Sequence, residues 1–87
     1  MQHQISESQR DAWVRNVLNI WTVYDHPAEF PYSYVARRFE VDEGGSRPTD
    51  DIVQGELQII RESFRYCGLV CLLRAEADDP KIVECWL

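Results

Sequence analysis

An imidazole beside a carboxylate, with guanidinium groups within reach, is a side-chain set from which acid–base chemistry or an anion site can be built. Here that set is Tyr24-Asp25-His26, stopped by Pro27, together with Arg37 and Arg38 in the next extended stretch. Histidine titrates nearest neutrality and an adjacent carboxylate tunes it. Arginine adds planar, two-pronged contacts to phosphate or carboxylate that lysine cannot make. Such a site requires His26 and Arg37 on one side of a hairpin. Against it, Asp-His-Pro is an ordinary turn sequence, and Arg38 next to Glu40 serves as simple charge balance. No P-loop, dinucleotide fingerprint, nucleophile elbow or His-Glu-x-x-His motif is present. A chain this short also encloses a ligand cavity with difficulty. Catalysis is therefore the lesser reading, and no cofactor is expected.

The other chemistry-bearing residues have bland readings beside sharp ones. Cys67, Cys71 and Cys85 form no Cys-x-x-Cys pair. Centring a terminal hairpin on its turn puts Cys71 opposite Cys85, which allows a cross-strand disulfide or a thiolate metal site. Buried structural thiols are the preferred reading, because free cysteine is a frequently buried residue and the expected compartment is reducing. His3 and His26 are too isolated to add a zinc reading. Glu40, Asp42, Glu43, Asp50, Asp51 and Glu56 surround one loop, and Asp78-Asp79 sit in a later turn. Carboxylates spread over a small fold can imitate a phosphate backbone and occupy the groove of a nucleic-acid-binding protein. A solvated acidic loop is the plain alternative.

Aromatic residues supply the third pointer. Trp13, Trp21, Tyr24, Phe30, Tyr32 and Tyr34 crowd the first part of the chain, and Trp, Tyr and Arg anchor protein interfaces. The competing reading places these rings in the core. Interaction requires no missing motif, so a binding or accessory domain with a protein partner is the favoured function, with Trp21, Tyr24, His26, Tyr34, Arg37 and Arg38 as candidate binding residues. A homodimer follows if the last strand lies at a sheet edge. An acidic nucleic-acid mimic is the first alternative, and an anion-binding or acid–base site at His26 and Arg37 the second.

Composition narrows the class. The 87 residues are 45% hydrophobic with a formal charge of −6, enough for one modest core and too acidic for direct nucleic-acid binding. The cations are eight Arg and the single Lys81, a bias that nucleotide composition also produces. No apolar run approaches the roughly 20 residues of a membrane span, and no signal-peptide pattern is visible at the N-terminus. A soluble, cytoplasmic protein is the expectation.

These side chains are positioned by a short series of elements. Ser6 or Ser8 caps a first helix over about 6–19, with Gln9 completing a capping box and Trp13, Val17, Ile20 and Trp21 at helical spacing. Ile20–Tyr24 then reads as extended. Tyr32–Val41 alternates as a half-buried strand, with Val35, Arg37, Phe39 and Val41 in one phase. Residues 42–50 read as a loop, and Asp51–Gly55 as a possible short strand. From Glu56 a second helix carries Leu57, Ile60, Phe64 and Cys67 on one face, with Gly68 as its C′ residue. Leu69–Arg74 and Lys81–Leu87 close the chain as a hairpin across Ala75–Pro80, with the C-terminus in the core sheet. The expectation is one α+β domain over residues 1–87, with a small, mainly antiparallel sheet and two helices.

The segments Trp21-Thr-Val-Tyr-Asp-His-Pro27, Val35-Ala-Arg-Arg-Phe39, Gly55-Glu-Leu-Gln-Ile-Ile-Arg61 and Asp78-Asp-Pro-Lys-Ile-Val-Glu-Cys-Trp-Leu87 together resemble a group of short bacterial proteins. Its pattern is Asp-His-Pro, then Ala-Arg-Arg-aromatic, then a terminal Asp-Asp-Pro-x-Ile-Val-Glu-x-Trp. The resemblance covers about Trp21 to Leu87 and leaves out the first helix. It implies a bacterial origin and a single small domain, and brings no catalytic residues.

Overall fold

The computed structural model describes residues 1–75 and 78–87. Helix α1 (Gln2–Arg15) leads into β1 (Leu18–Asp25), β2 (Tyr34–Asp42) and β3 (Gly45–Gly55). Helix α2 (Leu57–Tyr66), β4 (Cys71–Leu73) and β5 (Ile82–Trp86) follow. The strands form one antiparallel sheet in the order β3-β2-β1-β5-β4. The fold is thus the expected α+β arrangement with two helices and a hairpin-like pairing near the C-terminus. None of the described helices is long and apolar enough to cross a membrane.

Both helices lie on the same face of the sheet. Ile5 of α1 and Ile60 and Phe64 of α2 are fully buried against Trp21, Val23, Ala36, Val53 and Trp86. Phe64 is the centre, 5.5 Å from the Trp21 ring and stacked 5.4 Å from Trp86. Gly68 (φ 82°) ends this helix as expected, because its left-handed backbone lets the amides of Gly68 and Leu69 reach back to the carbonyls of Arg65 and Phe64.

Helix α1 departs from the expectation. It runs over residues 2–15 rather than about 6–19, because Asn16 turns left-handed (φ 59°, ψ 42°) and returns its amide to the carbonyls of Ala12 and Trp13. Ser6 and Ser8 therefore lie inside the helix, and no side chain caps it. Ile20 and Trp21 belong to β1, and Trp13 is left 85% exposed. The helix docks through Ile5 and Ala12 and through polar residues, which the aromatic spacing concealed.

Two strands are also corrected. The acidic segment at 42–50 is mostly β3, entered by a tight turn in which Gly45 takes φ 112°. β3 is an outer strand, so Pro48 is tolerated there, beside a register shift opposite Arg37–Phe39. In the terminal pairing Cys71 faces Trp86 and Leu72 faces Cys85, one residue away from the centred register. A one-residue slip turns every side chain to the other face. The core decides it: Leu69 and Trp86 are both buried, and the centred register would send them to opposite sides. The turn expected at 75–80 includes residues 76 and 77, outside the described ones.

Candidate binding surface

The helix-facing side of β2 carries Ala36, Arg38 and Glu40, and its other side carries Val35, Arg37, Phe39 and Val41. The apolar phase thus points away from both helices. The polar phase points inward because α1 serves it. Arg38 donates to the carboxylates of Glu40 (2.7 Å) and Asp51 (2.9 Å) and to Asn19 (3.1 Å). Gln4 and Ser8 of α1 donate to Asp51, and Arg15 pairs with Glu40. Gln9 accepts from the Asn19 amide (3.0 Å) and from the Trp21 indole (3.1 Å). The Arg15 and Arg38 guanidiniums hold the Glu40 carboxyl down at about 2. Burial pushes the Asp51 carboxyl up, but its bonds from Ser8, Gln4 and Arg38 outweigh that and leave it below the usual range.

A second ion pair ties α2 to the sheet. Arg61 makes a two-pronged contact with Glu84, at 2.8 and 3.0 Å, and the Trp86 indole donates to the same carboxylate at 2.8 Å. Burial raises the Glu84 carboxyl and these donors more than compensate, so it ends low.

The candidate residues therefore separate. Trp21 is in the core and Tyr34 is half-buried against it. Arg38 belongs to the α1 network. Arg37 emerges on the opposite face, opposite Thr22, with Glu29 3.8 Å away as a loose partner. His26 lies elsewhere again. Its ring packs edge-on against Tyr34 at 4.9 Å, and its Nδ1 is 2.5 Å from Asp25. It lines a recess of about 310 Å³ with Tyr32, Ser33, Tyr34 and Glu56. Neither guanidinium lines that recess, so the expected His26/Arg37/Arg38 constellation is not assembled.

The cysteines are half-buried rather than fully buried, and all three are free. Cys71 packs on the core beneath α2 while Cys85 faces the other side, against Thr22, which removes the cross-strand disulfide. Burial pushes the Cys71 thiol up. Among the described residues no group of three or more His, Cys, Asp or Glu is placed to hold a metal ion. Of the six loop carboxylates, Glu40, Asp42 and Asp51 are engaged by arginines, which leaves Glu43, Asp50 and Glu56 outside the network.

The sheet face away from the helices is the most extended surface that the strand registers build. Registered neighbours place Ile20 beside Phe39, Thr22 beside Arg37 and Cys85, and Arg37 beside Ile52. Among the described residues no helix or strand covers this face. A shallow depression of about 290 Å³ runs over it, between Ile20, Thr22, Tyr24, Phe39, Ile82 and Cys85. Burial there raises the Tyr24 hydroxyl pKa. Arg37 is the one cation the strand registers place on this face. Tyr24 and Arg37 were legible in the sequence; Ile20, Phe39, Ile52 and Cys85 were not assigned to a surface. The signal that finds them is β1, whose two phases, Ile20/Thr22/Tyr24 and Trp21/Val23, are both largely apolar, although the helices cover only one side.

No protein-family model matches the chain, and no curated protein or solved structure matches it either. The functional reading consequently rests on the geometry.

Proposed function

We propose that this chain is a protein-binding domain and that its helix-free sheet face is the docking surface. The observation that carries this reading is the inverted strand β2: Phe39 and Val41, both half-buried, point away from both helices, and Arg38 and Glu40 point toward them. Large contiguous apolar patches on a protein surface mark interaction sites. Ile20, Phe39, Ile52 and Ile82 supply the apolar area and Tyr24 an amphipathic ring. The partner that fits is a protein surface of aliphatic or aromatic side chains with one carboxylate set to meet Arg37. Apolar contacts supply the affinity and the ion pair fixes orientation.

The test is retention of partner proteins by the immobilised domain at low and high salt. The native chain is expected to hold a partner at both salts. Phe39→Asp and Ile52→Gln are each expected to lose it while keeping the native circular dichroism. A partner released by salt and by added nucleic acid would contradict the reading and favour acidic mimicry.

A further inference from the structure

The two edges of the sheet are defended unequally. β3 carries Pro48 at an irregular step of its register, with Arg47, Asp50 and Asp51 along its length, devices that discourage a new neighbouring strand. The last strand, β5, lies between β1 and β4 and not at an edge as a homodimer through it requires; the edge is β4, which has neither proline nor charge. Its shortness limits pairing, yet it is apolar and open: Val70 is 62%, Leu72 48% and Leu73 88% exposed.

The ladder determines which backbone groups are free. Val70 and Leu87 exchange both hydrogen bonds, at 2.7 and 3.0 Å. In antiparallel strands such pairs alternate with pairs whose groups point outward. Leu72, opposite Cys85, is turned inward again, and Cys71 and Leu73 direct their N–H and C=O groups to the open edge. These two residues are symmetric about Leu72. We infer that β4 pairs antiparallel with β4 of a second copy of this chain, about a twofold axis through Leu72. Cys71 then exchanges backbone bonds with the partner's Leu73, and Leu72 lies against the partner's Leu72.

The segment itself favours a second copy over a foreign strand. Residues 71–73 carry no charge and Arg74 of each copy flanks them, so two chains of net charge −6 meet without placing carboxylates against each other at the seam. Leu72 lies on the helix-free face and Leu73 on the helix side, which gives an apolar cross-strand pair on each side of the seam. Val70, Leu72 and Leu73, each about half exposed or more, supply the apolar area that this pairing buries. The pairing uses the sheet edge and stands independently of docking on the face.

Sedimentation of the native chain from micromolar to millimolar concentration is expected to show a monomer–dimer equilibrium. Leu72→Asp and Leu72→Lys each oppose like charges across the axis, and each alone is expected to sediment as a monomer. Mixing the two is expected to restore a dimer containing one of each. Phe39→Asp is expected to leave dimerisation unchanged. A native chain monomeric at millimolar concentration would overturn the inference. So would a dimer that survives both Leu72 substitutions, a mixture that remains monomeric, or a dimer lost on Phe39→Asp.

Discussion

Arg38 joins three elements through one guanidinium. It touches Glu40 on its own strand, Asn19 on β1 and Asp51 on β3, and α1 closes over the same carboxylates. Removing one member of a largely buried charge network leaves its partners unpaired, at a typical cost of about 3–5 kcal/mol. Arg38→Ala is therefore expected to lose about 3 kcal/mol in urea denaturation, while Arg37→Ala, on the other face, changes stability little and weakens partner binding. The network also sets an acid limit. The Glu40 pKa is lowered in the fold from 4.5 to about 2, so its contribution is complete above 4.5 and is lost as pH falls toward 2. Asp51 and Glu84 are lowered too and act in the same direction. The melting temperature is expected to fall steeply across that window, and less steeply in Glu40→Gln.

At the scale of elements, the sequence was most legible where one physical cause acted alone. Helix α2 has an apolar face at Ile60 and Phe64 and a glycine at its end, and both behaved as their chemistry required. Helix α1 is displaced from its expected span because Trp13, Val17, Ile20 and Trp21 imitate a helical stripe, whereas Asn16 ends the helix after the first of them. Its true contact residues include Gln4, Ser8 and Gln9, whose partners are far along the chain and invisible to local periodicity. The terminal register was hidden for a similar reason, since only burial of Leu69 together with Trp86 distinguishes it from its neighbour. The two tryptophans make this testable by thermal melting. Trp13→Ala is expected to change stability by no more than about 0.5 kcal/mol, and Trp21→Ala, at a fully buried position, to cost about 3–5 kcal/mol.

At the scale of the whole molecule, polar and apolar material are distributed in an unusual sense. Charge is drawn inward beneath α1, and part of the apolar surface is left on the far side of the sheet. Carboxylates outside the network, Glu43 and Asp50 among them, stay exposed, while Arg37 lies between Thr22 and Ile52 on the other face. The candidate site was only partly legible in the sequence for this reason. Alternation along β2 identifies two faces, but which of them meets the helices depends on the partners that α1 brings to Arg38 and Glu40.

The most direct measurement places a photo-crosslinking benzophenone side chain at position 39, on the helix-free face, and in a second protein at position 66, on the exposed side of α2. Irradiation in cell lysate is expected to give a discrete protein adduct from position 39 and none from position 66. Equal adducts from both positions, or none from position 39, would contradict docking on this face.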